Sequence, residues 1–346
     1  MGERRNGTGL RLAAAPRGGA NGRYRALLPL RELERRGHTI AWPGDPSYDA
    51  LAGGGMPQTW DAFYVQQMHQ PEALDTMARV RRAGIAVVWD TDDDLSAVRR
   101  GSEAYHRLGG KRMIRRHFKA AVEAARTAHV MTTTSARLAE VYGEAGVERV
   151  HVIENYLAPR DVAVRRRRHQ GLVIGITAAG EHEPDLRKLR FAAVLDRLLE
   201  QRDGVRVASI GADLRLRNSH RYTWLRTVPI EQLIATEAEF DIGLAPLLDT
   251  AFNRARSTIK LKEYAAAGAA WLASPVGPYV GMGEEQGGQL VAEDAWLDAL
   301  LALVDDDERR RTLAERARAW AAGQTIRAGG AQWQAAFRDA VARARG

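Results

Sequence analysis

One segment in the C-terminal half of the chain places charged residues around the start of a predicted helix. The helix opens at Ser257, and its first backbone N–H groups lack intrahelical partners and attract an anion. Arg256 and Lys260 add positive charge, and Glu263, one turn further on, presents a carboxylate that can accept hydrogen bonds from two vicinal ribose hydroxyls. Gly268 ends the helix. The segment therefore predicts a site for a nucleoside diphosphate.

A cluster of aspartates follows a predicted apolar strand in the N-terminal half. Asp90, Asp92, Asp93 and Asp94 repel one another unless positive charge lies nearby. Three interpretations are open: a carboxylate that orients or deprotonates an acceptor hydroxyl, a divalent metal site, and helix capping. The spacing of Asp90 and Asp92 also resembles the nucleophile motif of haloacid-dehalogenase phosphatases. Those enzymes carry the motif in their first strand, whereas here it follows several α/β units.

Other residues with functional chemistry lie at the ends of predicted strands or in glycine loops. They are His69, His182, Gly18, Gly19, Tyr24 and Arg25. The first histidine ends a strand, and the second follows a glycine at the start of the C-terminal half. Each histidine has either a structural role or a contact with sugar or phosphate. The glycine pair allows backbone to approach a phosphate closely.

The composition predicts a globular protein of two domains. A chain of 346 residues is too long for one ordinary core and divides into two domains of roughly 150 residues each. The longest mostly apolar run, Ala265–Ala273, is far shorter than the roughly 20 residues that a membrane-spanning helix needs. Leu10–Ala15 is too short for a signal-peptide core, so we expect a cytoplasmic protein. The absence of cysteine excludes disulfides, thiolate catalysis and cysteine-ligated metals.

The net charge of +8 admits a nucleic-acid or acidic-membrane partner. The basic residues are spread over many predicted helices, however, which favours solvated faces over one binding surface. The densest block, Arg165–Arg168 followed by His169, falls where a domain linker is predicted. We interpret this block as an exposed connector, with contact to an anion or a lipid headgroup as the alternative.

Strands and helices alternate along both halves of the chain, which predicts an α/β fold with parallel sheets. The predicted strands are Leu10–Ala15, His38–Ala41, Ala62–Gln66, Ile85–Trp89, His129–Thr132, Val150–Ile153, Leu172–Thr177, Val205–Ile210, Asp241–Ala245 and Ala270–Ser274. We predict two doubly wound domains over residues 1–160 and 161–328. A last helix within 329–346 has no strand of its own to cover. Ligands of such sheets bind at the carboxyl ends of the strands.

A longer signature surrounds the first segment. It comprises Phe240–Leu247, Phe252–Asn253, Arg256–Ser257, Lys260, Glu263–Tyr264, Gly268, Ala273–Ser274 and Gly277–Tyr279, with Tyr24–Arg25, Val88–Leu95 and Thr133–Ser135 in the N-terminal half. This combination resembles the GT-B glycosyltransferases, specifically the retaining "group 1" family of bacterial surface-polysaccharide and phage enzymes. The resemblance implies two Rossmann-like domains facing a cleft, with the last helix crossing back to the first domain. It also implies transfer of a sugar from a nucleoside-diphosphate-sugar to an acceptor hydroxyl, with retention and without metal or other cofactor.

With this resemblance, the predicted site residues fall into two groups. The donor-binding group is Asn253, Arg256, Ser257, Thr258, Ile259, Lys260, Glu263, His182, Gly18, Gly19, Tyr24 and Arg25, and the catalytic group is Asp90, Asp92, Asp93 and His69. Ala255 stands where better-known members of the family carry a second acidic residue.

The predicted partners are the nucleotide-sugar donor and an acceptor that is a glycan, a lipid-linked glycan or a modified DNA base, with peripheral membrane contact as a further option. Two alternatives to a glycan-directed transferase remain. The first is a DNA-modifying transferase or a non-catalytic basic nucleic-acid-binding protein of the same fold. The second is a magnesium-dependent phosphatase that uses the carboxylates of Asp90 and Asp92.

Overall fold

The chain forms two compact units, each built from more than one stretch of sequence. The first unit comprises Met1–Asp93, Arg115–Asn155 and Ile326–Gly346, and the second comprises Asp94–Ile114 and Tyr156–Thr325. The structure is a computed structural model, and it describes residues 9–46, 48–49, 60–166 and 169–346. The predicted basic N-terminus over residues 1–8 lies outside the described residues.

The first unit contains a parallel sheet of six strands in the order β2-β1-β3-β4-β5-β6. Its strands are β1 Arg11–Ala15, β2 Thr39–Ala41, β3 Ala62–Gln66, β4 Ala86–Asp90, β5 Val130–Thr133 and β6 Val150–Val152. Its helices are Gly19–Gly22, a π-helical turn Arg23–Leu27, Leu28–Arg35, Pro71–Arg82, Gly110–Thr127, Ala136–Glu144 and Ile326–Arg345. The predicted strand positions are confirmed to within two residues.

The second unit contains another parallel sheet of six strands, in the order β12-β11-β10-β7-β8-β9. Its strands are β7 Leu172–Ala178, β8 Val205–Gly211, β9 Tyr222–Leu225, β10 Ile242–Ala245, β11 Ala270–Ala273 and β12 Gly288–Leu290. Its helices are Glu103–Arg107, Glu183–Lys188, Phe191–Gln201, Leu233–Glu237, Ala251–Arg254, Ile259–Ala267, Trp296–Asp305 and Asp307–Ala322. The predicted α/β fold with two doubly wound sheets is therefore confirmed.

The register of the first sheet brings polar strand ends together. Gln66 at the end of β3 lies opposite Asp90 at the end of β4, and Asp90 lies opposite Thr132 near the end of β5. Because all the strands are parallel, these side chains share the carboxyl edge, where doubly wound sheets bind ligands.

The C-terminal helix Ile326–Arg345 packs on the first unit. Trp333 and Phe337 are fully buried and approach the ring of Tyr64 on β3, with centroid distances of 6.2 and 6.0 Å. At the helix start, the Arg36 guanidinium donates a hydrogen bond to the carbonyl of Arg327 at 3.2 Å. The predicted return of the last helix to the first domain is confirmed, and the helix begins three residues earlier than the predicted segment.

Three features of the second unit differ from the sequence prediction. The amphipathic pattern over Leu186–Glu200 predicts one helix, but the segment lies in two helices, because Arg190 adopts a left-handed backbone with φ of 50°. Strand β9 was not predicted, and it lies at the sheet edge with Trp224 43% exposed, so it lacks an apolar alternation. Strand β12 was also missed because it begins with Gly288. A Cβ at Gly288 would lie 2.0 Å from the ring of Trp271, so glycine is required there.

Residues 94–114 belong to the second unit, whereas the sequence predicted them in the first domain. The Arg99 guanidinium forms an ion pair with the buried carboxylate of Asp185, and the side chain of Glu103 lies against Gly180. These contacts join residues far apart in sequence, so no local pattern could reveal them. Asp94 itself accepts a hydrogen bond from the backbone N–H of Ser96 at 2.9 Å and caps a short helical turn.

The predicted linker is described in part. Arg166 forms an ion pair with Asp241, which immediately precedes β10, while residues 167–168 lie outside the described residues. Within the described ranges, no helix is long and apolar enough to cross a membrane.

Candidate functional site

The motif helix Ile259–Ala267 carries the predicted diphosphate-binding segment. It begins after Thr258 without a side-chain cap, and it ends at Gly268, which adopts a left-handed backbone with φ of 81°. Ser257 is half-buried, and Thr258 is buried. The helix begins two residues after the predicted start at Ser257, and the predicted stop at Gly268 is confirmed. Anion binding at its first backbone N–H groups stays a prediction.

Tyr264 ties the motif helix to two strands of the second sheet. Its hydroxyl donates to the carbonyl of Leu244 on β10 and accepts from the backbone N–H of Thr177 on β7, each at 2.9 Å. The ring packs over Gly243, where a Cβ would lie 2.4 Å from it. These contacts fix the first turn of the helix against the carboxyl edge of the sheet.

Charged side chains meet on the side of the motif helix that faces this edge. The Lys260 ammonium lies 2.9 Å from the Glu263 carboxylate, whose side chain is only 3% exposed. Burial opposes the charged form of Lys260, but the negative charges around it, Glu263 first, and the hydrogen bond to Glu263 together outweigh burial and raise the pKa of Lys260. Lys260 therefore stays positively charged at neutral pH.

The carboxyl group of Glu237 lies close to the pair of Lys260 and Glu263. Glu237 is fully buried and accepts a hydrogen bond of 2.6 Å from the Thr177 hydroxyl, while its other oxygen, Oε2, has no hydrogen-bond partner among the residues that the structure describes. Burial and then the charge of Glu263 raise the pKa of Glu237 to about 8, against the opposing charge of Lys260. Glu237 is therefore mainly protonated at neutral pH and can donate a hydrogen bond.

Arg256 adds positive charge to the site, and His182 lies beside it. Arg256 Nη2 lies 3.1 Å from His182 Nε2 and 3.7 Å from a Glu181 carboxylate oxygen. Burial, followed by the charges of Arg256 and Lys260, lowers the pKa of His182 well below its ordinary value. The imidazole is therefore neutral and accepts from Arg256. Two cations beside a neutral histidine suit a ligand with two negative charges.

Asn253 is fully engaged within the protein. Its amide nitrogen donates to Asp185 Oδ2 at 3.0 Å and to the carbonyl of Leu248 at 2.9 Å. Because both amide hydrogens are used and the residue is buried, these contacts give Asn253 a structural position behind the predicted site.

Two adjoining cavities lie at the carboxyl edge of the second sheet. The smaller, of about 10 Å³, is lined in part by His182, Lys260 and Tyr279. The larger, of about 1120 Å³, shares Thr177 with it and extends past the ends of β7 and β8 to Trp224. A volume of this order is enough for a nucleotide-sized ligand.

Backbone strain is concentrated at the two candidate regions. Among the described residues, three that are not glycine have positive φ: Gln67, Arg190 and Arg215. Arg190 and Arg215 line the larger cavity, and Gln67 contacts Asp92. Left-handed residues of this kind cost on the order of 1–3 kcal/mol each and cluster at functional sites.

In the first unit, Arg25 and Asp90 form a fully buried ion pair with an N–O distance of 2.7 Å. Asp90 also accepts from the Thr132 hydroxyl at 2.7 Å, and Arg25 donates to the carbonyl of Ile153 and stacks over the ring of Trp333. These contacts give both residues a structural role, unlike the predicted catalytic and donor-binding roles. A phosphatase nucleophile at Asp90 would have to be accessible, so the burial disfavours that alternative.

Asp92 is the candidate base of the first unit. Its carboxylate accepts from Gln67 at 2.5 Å and from Asn21 at 3.1 Å. Burial, then the charges of Asp93 and Asp90, raise the pKa of Asp92 well above its ordinary value. A carboxyl group with a raised pKa at a strand end is suited to proton transfer. Asp93 lies at the edge of this cluster, 3.5 Å from the same Gln67 amide.

His69 forms a histidine pair near Asp92. Its Nε2 lies 3.0 Å from His117 Nδ1, and its Nδ1 lies 2.9 Å from the carbonyl of Gln67. Burial lowers the pKa of His69, although the bond to the Gln67 carbonyl opposes this change. His69 therefore contacts Gln67, the residue whose side-chain amide donates to Asp92.

The glycine loop is open to ligands in the first unit. A Cβ at Gly18 or Gly19 would meet nothing within 4 Å, and Gly19 has φ of 72°. Tyr24 is buried in the adjacent helical turn. The pair thus leaves space for a ligand to approach the backbone, whereas Tyr24 faces the protein interior.

In the parts of the chain that the structure describes, no group of three or more histidine, aspartate or glutamate side chains is arranged to hold a metal ion. The expectation of metal independence stays a prediction.

Sequence reasoning missed Glu237, Thr177 and Tyr279. Glu237 lies 26 residues before Glu263 in another helix, and it meets the motif only through the packing of the two helices. Tyr279 belonged to the signature but received no role, and it lines the smaller cavity with Lys260. A buried acid that meets the motif helix only through tertiary packing carries no local signal.

Solved structures share this fold. HepE from Anabaena, solved in complex with UDP, aligns with a TM-score of 0.65 and 14% identity over 95% of this chain and 99% of that chain. Sucrose-phosphate synthase from Thermosynechococcus elongatus has a TM-score of 0.65 and 13% identity over 96% and 99% of the two chains. TarM has a TM-score of 0.59 and 12% identity over 80% of this chain and 54% of that chain.

These similarities confirm the GT-B fold. No protein-family model matches the chain, and no curated protein matches it in sequence.

Proposed function

We propose that the protein is a glycosyltransferase that moves a sugar from a nucleoside-diphosphate-sugar to an acceptor hydroxyl. One observation carries the proposal: Lys260, Glu263 and Arg256 converge at the start of the motif helix, beside a cavity at the carboxyl edge of the sheet. The fold is shared with HepE, which was solved with UDP and with UDP-glucose, and that supports a nucleotide-sugar donor here.

In the proposed reaction, the bond between the anomeric carbon and the diphosphate oxygen breaks, and a bond to the acceptor oxygen forms. The leaving diphosphate gains negative charge, which Arg256, Lys260 and the helix N-terminus stabilise. Glu263 accepts hydrogen bonds from the ribose hydroxyls. Because His182 is neutral, it can donate or accept without adding charge.

The acceptor hydroxyl must lose a proton, and we propose Asp92 as the group that takes it. Its raised pKa makes it a stronger base than an ordinary aspartate once it is ionised. His69 contacts Gln67, and the Gln67 amide in turn donates to Asp92 and lies near Asp93, so these residues help to position Asp92. Retention of configuration and independence from metal are also part of the proposal, and both rest on the family resemblance.

A thermal-shift screen of the purified protein tests the proposal. The ligands are UDP, GDP, TDP, ADP and CDP with their common sugar conjugates, each with EDTA and with Mg²⁺. A ligand that binds only the folded state raises the melting temperature. A selective shift with one nucleoside diphosphate that survives EDTA is expected.

Two results of the same screen would each refute a part of the proposal. No shift with any nucleotide would refute a nucleotide-sugar donor and favour a non-catalytic binding protein. A shift that requires Mg²⁺ would refute metal independence.

A further inference from the structure

A basic cavity lies at the amino edge of the first sheet, opposite the edge that carries Asp92. It has a volume of about 350 Å³. It is lined by Arg81, Ala125, Arg126, Ala128, His129, Gly146, Val147, Glu148, Arg149 and Arg343. His129 immediately precedes β5 and Arg149 immediately precedes β6, which places the cavity at the strand starts. All of these residues belong to the first unit.

Four arginines reach this cavity from four different elements. Arg81 donates to the carbonyl of Thr127 at 2.7 Å, and Arg343 pairs with Asp339 at 2.8 Å. Arg126 and Arg149 are exposed, and within the described ranges their guanidinium groups form no hydrogen bond or ion pair.

Compensation of helix dipoles explains only part of this arrangement. Arg81, Arg126 and Arg343 lie in the last turns of their helices, where positive charge is favourable. Arg149 lies in a loop and caps no helix. Glu148 is the one acidic residue in the lining, so four arginines face a single carboxylate there.

His129 adds a neutral donor to the lining. Its Nδ1 accepts the backbone N–H of Val87 at 2.9 Å, so in the neutral ring the proton lies on Nε2. Burial, and then the charges of Arg81 and Arg343, lower the pKa of His129. The ring therefore stands uncharged among cations, and it can donate to an anion.

We propose that this cavity binds a phosphate group, as a second anion site separate from the motif helix. Guanidinium groups bind phosphate through paired N–H bonds, and two of the four, Arg126 and Arg149, form no hydrogen bond or ion pair with the residues that the structure describes. The phosphate comes either from a free phosphorylated compound or from a phospholipid headgroup. The inference does not depend on glycosyltransferase activity, because no residue of the proposed donor site takes part.

Bound phosphate also changes the pKa of His129. The charges of Arg81 and Arg343 act on His129, while Arg126, Arg149 and Glu148 line the same cavity. An anion bound there offsets the repulsion from the arginines, so the pKa of His129 rises on binding.

Titration of inorganic phosphate by calorimetry tests the site, with a double variant Arg126→Gln/Arg149→Gln. We expect the variant to weaken phosphate binding about tenfold or more, as the loss of two charge-assisted contacts predicts. The matched control is Arg31→Gln/Arg137→Gln, which removes two charges elsewhere on the first unit and is expected to leave binding unchanged. Arg256→Gln separates this site from phosphate bound at the motif helix.

The results divide cleanly. Phosphate binding that the double variant reduces and Arg256→Gln leaves in place supports the proposal. Binding that only Arg256→Gln reduces, or an equal loss in the Arg31→Gln/Arg137→Gln control, overturns it, as does the absence of saturable binding. Because Arg126 and Arg149 are exposed, the double variant should unfold at the wild-type temperature.

Flotation with vesicles identifies the source of the phosphate. The vesicles are phosphatidylcholine with and without phosphatidic acid. Binding to the acidic vesicles that the double variant loses assigns the site to a phospholipid headgroup. Phosphate binding without vesicle binding assigns it to a free phosphorylated compound.

Discussion

The carboxyl edges of the two sheets each carry a cation beside a carboxylate, yet the two pairs differ in their surroundings. Arg25 and Asp90 in the first unit have side chains that are 0% exposed, and Thr132, Ile153 and Trp333 complete their contacts. In the second unit, Lys260 retains 19% exposure and faces a cavity. The pair of Arg25 and Asp90 thus stabilises the core of the first unit, whereas the pair of Lys260 and Glu263 in the second unit can bind a ligand.

The largest effect is expected from breaking the closed pair. Arg25→Ala leaves the buried Asp90 carboxylate without its cation, and it should lower the free energy of unfolding by about 3–5 kcal/mol. Urea unfolding of the purified variant measures this loss. As a control, Arg31→Ala removes an exposed partner of Glu34 in the same unit and should cost less than about 1 kcal/mol. Equal losses in the two variants would contradict the structural role of Arg25.

Asp92→Asn tests the proposed catalytic base, which lies at the same carboxyl edge of the first sheet as Asp90. We expect kcat to fall about 100-fold while donor affinity stays unchanged, because general-base catalysis is lost. In the wild type, kcat should rise with pH through the raised pKa of Asp92, and the variant should lack this rise. Asp75→Asn, at an exposed position of the same unit, is the control. A variant with normal turnover would remove Asp92 from the mechanism.

Glu263→Ala removes the carboxylate from the pair of Lys260 and Glu263, which faces the cavity. Donor binding should weaken by about 1–3 kcal/mol, because the ribose hydroxyls lose a charged acceptor. Calorimetry with the nucleotide found in the screen measures the change. Glu285→Ala, an exposed acid of the second unit, should bind like the wild type. Unchanged affinity in a folded Glu263→Ala protein would refute the ribose assignment.

A pH-dependent effect is expected at Glu237, the buried acid close to the pair of Lys260 and Glu263. Its pKa is raised from 4.5 to about 8, so between these values the unfolded chain gives up a proton that the folded protein keeps. This contribution to stability is present at low pH and is lost as the pH rises toward about 8.

Glu237→Gln keeps the shape of the protonated acid and removes its titration. The variant should therefore gain stability relative to the wild type as the pH rises between 4.5 and about 8. Urea unfolding at several pH values measures this difference. Parallel pH profiles for the two proteins would show that Glu237 does not titrate in this window.

The sequence predicted the strands well because each is a short apolar run bounded by polar or glycine residues, and such runs report local structure. β3 matches its predicted bounds, and the motif helix ends at Gly268 as expected. The break at Arg190 was missed because a left-handed arginine leaves no trace in the periodicity. The short edge strand β9 was missed because its side chains are exposed.

The candidate site was predicted in part for the same reason. Lys260 and Glu263 lie one turn apart on one helix, so their spacing alone brings them together. Arg25 was assigned to the donor because it follows the Gly18-Gly19 loop, and Asp90 was assigned to catalysis because it lies at the end of a predicted strand. Their burial against each other depends on contacts across 65 residues, which the spacing of neighbours does not record.

The sequence by itself determined the alternation of strands and helices, the division into two sheets and the chemistry at the start of the motif helix, since these depend on neighbours within a few turns. Only the tertiary structure decided which carboxylates are closed off and which face a cavity. That outcome depends on the parallel register and on packing between distant helices, which set the burial of Asp90 and bring Glu237 beneath Glu263. Burial controls both the ionisation and the accessibility of a charged group, and so tertiary packing separates a core ion pair from a ligand site.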